Sequence, residues 1–291
     1  MKKILIYSVL LIYTQSVFAQ KVRNQFFALH NIIRGDSLYN TFAKQVELVK
    51  NAGFDAIEIN QVENFDEMKA AIDKYQFKGA FFYVKLKLEP PFYDGRLEDC
   101  IKKLKGTKVI ISPFIVSESK RYKPSTKDAD TLATHLLQQI GDMAKKSGLE
   151  VAIYPHFSFY VERTDHALSL VKQVNRNNVG LTFNLCHWLA TTNKNERLNL
   201  KTHLRELKPS LKMMTICGAN DVITQSKVIW DDYILPLGAG DFDTFELVRY
   251  MVRELHYKNP IGVQCYNIKA DKVTLVKNTI SVWQIYKNRL K

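Results

Sequence analysis

The chain has few residues that would staple it, divide it or anchor it. Only four cysteines occur in 291 residues, at positions 100, 186, 217 and 265, and none has the close spacing of a zinc or redox motif. Three of them, Cys186, Cys217 and Cys265, fall in or at the end of strand-like runs, so buried small side chains are their expected role. Glycine (12) and proline (8) are sparse and never gather into a linker. No glycine-rich phosphate loop follows the first strand-like run, which argues against an open nucleotide-binding sheet. Beyond residue 19 no apolar run approaches the roughly 20 residues that a membrane span needs. Acid is also scarce: 29 Asp and Glu stand against 42 Lys and Arg, a net charge of +13. Such an excess draws a protein to nucleic acid or anionic surfaces when it is concentrated in one patch. Here the lysines are scattered along helical patterns, as at Lys102, Lys103, Lys105, Lys145 and Lys146. That is a solvated outer face, and no nucleic-acid partner is expected.

What is present begins with a leader. Lys2 and Lys3 precede an apolar run from Ile4 to Ala19, and Val17-Phe18-Ala19 offers small residues for a cut before Gln20. Residues 1–19 therefore read as a signal peptide and residues 20–291 as a single domain. The protein is expected outside the cytoplasm, periplasmic or extracellular, with no stable membrane insertion once the leader is removed. One domain of about 250 residues is an ordinary size for an α/β barrel.

The apolar pattern then switches repeatedly between two periods. Eight strand-like runs appear: Gln25–Asn31, Ala56–Asn60, Gly79–Leu88, Lys108–Phe114, Glu150–His156, Val179–Leu185, Lys212–Cys217 and Ile261–Tyr266. Helical spacing fills the gaps, as at Phe42, Val46 and Val49, and in Leu132–Met143, Ala167–Val174, Phe245–Leu255 and Val273–Ile285. Gly53, Gly106 and Gly148 sit where helices should close, and Ser37, Thr126 or Asp128, and Thr164 where they should open. Strand–helix alternation implies a parallel sheet, and eight units favour closure into a (β/α)₈ barrel.

In such a barrel the working residues stand at the C-terminal strand ends, on inward positions that alternate with outward ones. Glu58 and Asn60 share a face with small Ala56, while Ile57 and Ile59 face the helices. Strand five ends with Tyr154 and His156 on one face. Strand six ends in Asn184, followed by His187 and Trp188, and strand eight in Gln264 and Tyr266. Strand one contributes His30. Together these residues offer hydroxyl-binding groups from several directions, with Trp188 and Tyr266 as faces for a sugar ring. The implied partner is a small-molecule carbohydrate; the oligomeric state is left unassigned.

Four segments carry a family resemblance, in order along nearly the whole chain after the leader. They are Gly53–Glu58, Tyr154-Pro155-His156, Val179–His187 and Pro236–Asp243, the last containing Gly238-Ala239-Gly240-Asp241-Phe242-Asp243. In these the chain resembles the sugar phosphate isomerase/epimerase group of xylose isomerase-like TIM barrels. That family typically holds a divalent cation with a Glu on strand five, an Asp on strand six, a His on strand seven and a Glu on strand eight. The resemblance places those roles at Tyr154, Asn184, Thr215 or Cys217, and Gln264. Each acid is replaced by a neutral group and the His is missing. Hard cations need oxygen ligands with enough negative charge to offset dehydration. No cofactor is therefore expected; a manganese, magnesium or zinc ion, the last on His156 and His187, is the lesser alternative.

The resemblance implies an enzyme that removes a proton next to a carbonyl. Glu58 is the candidate general base, with His156 and His187 as catalytic proton partners. His30, Asn60, Tyr154, Asn184, Trp188, Gln264 and Tyr266 are the candidate substrate-binding residues. The expected substrate is an unphosphorylated sugar or keto-sugar, since sugar phosphates are scarce outside the cytoplasm. Lys85, Lys87 and Arg163 suggest an affinity for acidic sugars or merely a basic surface. A keto-glycoside lyase of the same fold and a non-catalytic carbohydrate-binding relative are the alternatives. A metal-dependent phosphodiester-cleaving barrel is disfavoured by the lack of acidic and imidazole ligands.

Overall fold

The computed structural model describes residues 22–223 and 228–291; the leader-like segment 1–19 lies outside them. Eight parallel strands close on themselves in chain order. They are β1 (Phe26–Ala28), β2 (Ala56–Asn60), β3 (Gly79–Lys87), β4 (Ile110–Val116), β5 (Val151–Ile153), β6 (Val179–Asn184), β7 (Leu211–Ile216) and β8 (Ile261–Val263). Closure is direct: Phe27 of β1 lies opposite Ala56 on one side and Gly262 on the other. The (β/α)₈ barrel expected from the alternating pattern is the fold the chain adopts.

Helices surround the strands. They are α1 (Phe42–Ala52), α2 (Phe65–Lys74), α3 (Leu97–Lys103), α4 (Asp130–Lys146), α5 (Thr164–Val174), α6 (Leu185–Thr191), α7 (Lys194–Arg197), α8 (Leu200–Leu207), α9 (Trp230–Tyr233), α10 (Thr244–Arg249) and α11 (Lys272–Arg289). Thr41 opens α1 by accepting the Lys44 N–H, and Gly53 closes it at φ 104°, a conformation that costs a glycine nothing. Ser37 is not that cap, because the preceding Asp36 takes the Leu38 and Tyr39 amides and holds a turn ahead of the helix. The run Phe245–Leu255 is not one continuous α-helix: α10 gives way to a π-helical turn at Tyr250–Glu254.

Two apolar clusters divide the interior. The larger lies between strands and helices and takes Ile57, Ile59, Phe82, Val84, Leu86, Leu181 and Phe183. The smaller fills the barrel itself with Phe27, Ala56, Phe81, Ile110, Ala152 and Met213. Alternation along each strand sorts side chains between the two. Gly262 is required at the bottom: a Cβ there would sit 2.2 Å from the Phe27 ring. This apolar plug is the floor on which the polar mouth rests.

Several strands stop earlier than the apolar pattern suggests. β5 ends at Ile153 because Pro155 has no N–H to extend the ladder. β6 runs straight into α6, so Cys186, His187 and Trp188 are helical rather than extended. Cys217 and Cys265 lie just past β7 and β8, and all four cysteines are buried and unpaired. The Pro236–Asp243 segment is structural. Asp243 caps α10 through the Glu246 N–H, and Phe242 N–H donates to the Ala219 carbonyl at 3.0 Å. At Gly240 a Cβ would lie 2.0 Å from that same carbonyl oxygen.

Candidate active site

A cavity of about 430 Å³ opens at the C-terminal ends of the strands. Its walls include Glu58, Asn60, Tyr154, His156, His187, Gln264 and Tyr266. The inward alternation of β2 delivers Glu58, and the turn after β1 delivers its partner. The His30 N–H donates to Glu58 Oε2 at 2.7 Å. Burial raises the Glu58 carboxyl to about 7, although the His30 N–H and the Arg34 guanidinium both pull it down. A carboxylate so placed is poised between its two protonation states at neutral pH.

Past β5 the backbone turns, and His156 N–H donates to the Val161 carbonyl at 3.0 Å. The His156 ring stacks on Phe159 at 3.9 Å between centroids and lies 3.9 Å from the His187 ring. Its Nδ1 donates to the Phe157 carbonyl at 2.8 Å, which leaves Nε2 as an acceptor. His187 has the opposite polarity. Its Nδ1 accepts the Phe157 N–H at 3.4 Å, so Nε2 carries the proton, buried and unpaired within the protein. Burial lowers His156 to about 4 and also holds His187 well below the usual imidazole range, with His156 itself adding to the second shift. Both imidazoles are neutral at pH 7. They form a fixed acceptor and donor pair, a match for a hydroxyl group.

Gln264 is oriented by one backbone donor and by Asn31, which a second backbone donor fixes. Tyr266 N–H donates to its Oε1 at 3.1 Å, and Cys265 N–H donates to Asn31 Oδ1 at 3.1 Å. The Asn31 amide then also donates to Gln264 Oε1. The Gln264 oxygen is thereby occupied, and its NH₂ is the end left for a ligand.

Three of the expected binding residues stand elsewhere. His30 turns away from the cavity: its Nε2 donates to Gln45 Oε1 at 2.7 Å, and Gln45 in turn donates to the Tyr39 carbonyl. Only its backbone serves the site. Trp188 packs beside Phe183 on the helix side and lines a separate outer groove. One helical residue of about 100° turns it away from where His187 points. Asn184 lies fully buried, its Oδ1 accepting the Cys186 thiol at 3.2 Å and its Nδ2 unpaired. It is not among the cavity's lining residues.

Other residues take up the space. Tyr83 of β3 enters the cavity beside Tyr154, ring centroids 4.9 Å apart, and stacks on Phe114 at 4.3 Å. Burial, then the nearby Glu58 charge, hold its phenol protonated far above neutrality. The alternation of Phe81, Tyr83 and Lys85 along β3 carried the signal for it. Trp230, which stands edge-on to His187 at 5.3 Å, supplies the indole that Trp188 does not. It comes from the region after β7, where no strand period points to it. Asn31 arrives on the short helical turn after β1 and Arg34 just past its end, both outside any strand pattern.

The xylose isomerase-like TIM barrel profile matches residues 46–284, most of the chain. The chain belongs to that family. A 100-residue stretch is 30% identical to the inosose isomerase of Bacillus licheniformis and spans 34% of each protein, about a third of the relative's length. Among solved structures the fold is shared with 3-keto-D-glucoside 4-epimerase from E. coli, at 14% identity over 90% of this chain and 99% of that one, TM-score 0.68. It is shared also with D-allulose 3-epimerase from Methylomonas sp., at 15% identity over 92% and 99%, TM-score 0.67. At such identities the likeness concerns the fold.

The residues of this family member do not fit a hard divalent cation. The positions that the resemblance aligns with metal ligands hold Tyr154, Asn184, Thr215 or Cys217, and Gln264. The Gln264 oxygen already accepts two hydrogen bonds and the Asn184 oxygen accepts a thiol. Among the described residues no group of three or more His, Cys, Asp or Glu side chains is placed to hold a metal. Glu58 would be the one carboxylate at such a site, and the cavity's nitrogen donors are two neutral imidazoles.

Proposed function

We propose that this chain is a carbohydrate isomerase or epimerase that uses Glu58 as its base and works without the family's divalent cation. The observation that carries the reading is the pairing of a buried carboxyl near pKa 7 with a set of neutral hydrogen-bond donors across one cavity. The Glu58 carboxylate takes the proton from the carbon next to a sugar carbonyl. The electron pair moves to the carbonyl oxygen and forms an enediolate. The Gln264 NH₂, the His187 Nε2–H and the phenols of Tyr83 and Tyr154 are the donors available to that oxygen. A proton passes from the hydroxyl on the deprotonated carbon to the former carbonyl oxygen, and return of the proton from Glu58 to the former carbonyl carbon along the same face completes an isomerisation. Inversion needs a donor on the other face, and β6, from which His187 follows, stands across the barrel from β2.

The rings suit an uncharged sugar: Trp230 and Tyr266 offer faces, and the His156–His187 pair offers an acceptor beside a donor. The two cavity cations belong to its exposed parts, and Lys85 is shared with Glu118 at 3.5 Å, which is a weak clamp for a phosphate. That favours an unphosphorylated sugar or keto-sugar, in keeping with the leader-like residues 1–19 and a site of action outside the cytoplasm. The activities of the inosose isomerase and the two epimerases support the reaction class.

The test is turnover on a panel of keto-sugars by the wild type and Glu58→Gln, before and after chelation. Retained activity after chelation and its loss in Glu58→Gln support the reading. Activity that dies with chelator and returns with manganese overturns the metal-free assignment. Binding without turnover in the wild type turns the protein into a non-catalytic relative. An elimination product turns it into a lyase.

A further inference from the structure

The cavity has a neighbour at the barrel mouth. Beside it, between the loops that follow β2, β3 and β4, lies a second hollow of about 230 Å³. The two share Gln61 and Lys85 as walls, so they adjoin across these two side chains. The outer hollow is firmly built. The Lys87 N–H donates to the Phe92 carbonyl at 2.7 Å and closes the loop that carries Tyr93. Glu89 ties this loop to the next one, accepting Ser117 Oγ at 2.7 Å, Ser119 Oγ at 2.5 Å and the Glu118 N–H at 3.1 Å.

Its chemistry is mixed in sign. Glu118 stands 3.5 Å from Lys85 and 3.3 Å from Lys87, while Asp94 is occupied by Arg96 at 2.7 Å. An anion entering here would meet Glu118 and a cation would meet the lysines. A neutral polyol gains from both, since its hydroxyls donate to carboxylate and accept from ammonium. Half-buried Tyr93 adds an aromatic wall.

The junction is strained in a telling way. Gln61, the residue after β2, has φ 61° and ψ 156°, a region that glycine almost alone adopts. Its N–H is pinned to the Tyr83 carbonyl at 3.1 Å. A glycine would hold this turn at less cost, and the amide side chain it would lack stands between the two hollows.

We propose that the two hollows form one binding site for a glycoside, with the reacting sugar in the inner cavity, a second sugar residue against Tyr93 and Lys87, and Gln61 with Lys85 along the linkage. The inference rests on the carbohydrate reading above. It is tested with free keto-hexoses (3-keto-glucose, fructose, allulose) and their glucosides, by calorimetry and by turnover. The wild type should favour the glucoside by roughly tenfold in Kd or KM. Tyr93→Ala should lose that preference while free hexoses stay within about twofold, and Tyr93→Phe, which keeps the ring, should retain it. Equal affinity for free sugar and glucoside in the wild type would overturn the outer subsite and leave the reaction intact. So would a Tyr93→Ala variant that is folded and weakened equally for both. If no sugar of either kind binds or reacts, the carbohydrate reading fails and takes the subsite with it.

Discussion

The two halves of the barrel mouth are made of different chemistry. Among the described residues, the half from β1 to β3 carries every charged group that lines the cavity: Arg34, Glu58 and Lys85. The half from β5 to β8 is neutral, with Tyr154, the two imidazoles, Trp230, Gln264 and Tyr266. In the family pattern laid onto this chain, the second half is where the carboxylates would gather round a cation. Here that half has become a hydrogen-bonding wall, and the one carboxylate stands opposite it. The contrast separates proton handling from oxygen and ring recognition, and each half can be attacked on its own.

The largest effect is expected on the charged half. Glu58→Gln keeps an oxygen to accept the His30 N–H and removes the base. Turnover of a keto-sugar should fall roughly 10²–10⁴-fold, with sugar affinity by calorimetry nearly unchanged. A variant that turns over like the wild type would move the chemistry off β2 altogether.

The same substitution has a stability signature that only a buried ionisable group produces. Burial lifts Glu58 from its ordinary 4.5 to about 7. Between those values the folded chain holds a proton that the unfolded chain has released, so stability falls as pH rises through that window. The difference amounts to about 3 kcal/mol. Gln at this position escapes the fall. His156 behaves in the opposite sense: lowered by burial to about 4, it makes the fold lose stability as pH falls below its ordinary 6.5. Both proteins contain His156, so its contribution cancels in the comparison. Denaturant unfolding at pH 5 and pH 8 should show Glu58→Gln gaining on the wild type by up to about 3 kcal/mol at the higher pH. A gap that stays constant with pH would mean that Glu58 titrates normally.

How far this asymmetry was legible in the sequence depends on what positions each residue. The barrel followed from eight alternating units, and Glu58, Asn60 and Tyr154 followed from period-2 alternation on β2 and β5, where a side chain has only two faces to choose. The same rule applied to β3 would have found Tyr83. The rule broke down where strands stopped. Pro155 ended the β5 ladder, and α6 began immediately after Asn184, so a two-fold period was the wrong ruler for His187 and Trp188. His30 failed for a related reason: it begins a 3₁₀ turn, which offers its backbone to Glu58 and its ring to Gln45. Trp230, Asn31 and Arg34 come from segments whose direction is set by tertiary contacts, and no local period encodes those. Burial, which no local sequence pattern encodes, is also what keeps both His156 and His187 uncharged.

The neutral half should respond more mildly. Gln264→Leu removes the NH₂ donor that faces the cavity and should lower kcat by roughly 10²-fold, the cost of one well-placed donor to a developing oxyanion. Asn31→Leu leaves that donor in place but frees its orientation, and the expected loss is smaller, on the order of tenfold. The order of the two is the informative part. If Asn31→Leu were as damaging as Gln264→Leu, Asn31 would itself be touching the sugar, and the division into a charged and a neutral half would need redrawing around β1.

The smallest effect lies at the seam between the charged half and the outer hollow. Gln61 is held at φ 61° and ψ 156°, a conformation that costs a side-chain-bearing residue about 1–3 kcal/mol. Gln61→Gly relieves that cost in the folded state, and the added freedom of glycine in the unfolded chain takes back roughly 0.5–1 kcal/mol. The net change in unfolding free energy should be a gain of about 1 kcal/mol, read from urea midpoints at an unchanged slope. Glu58 lies on the adjacent inward face and keeps its His30 bond, so the pH-dependent gap attributed to it should persist in the Gln61→Gly background. A destabilised Gln61→Gly protein would show that the amide makes contacts worth more than the strain, and Gln61 would then be part of the fold's support rather than a side chain held in place for the ligand.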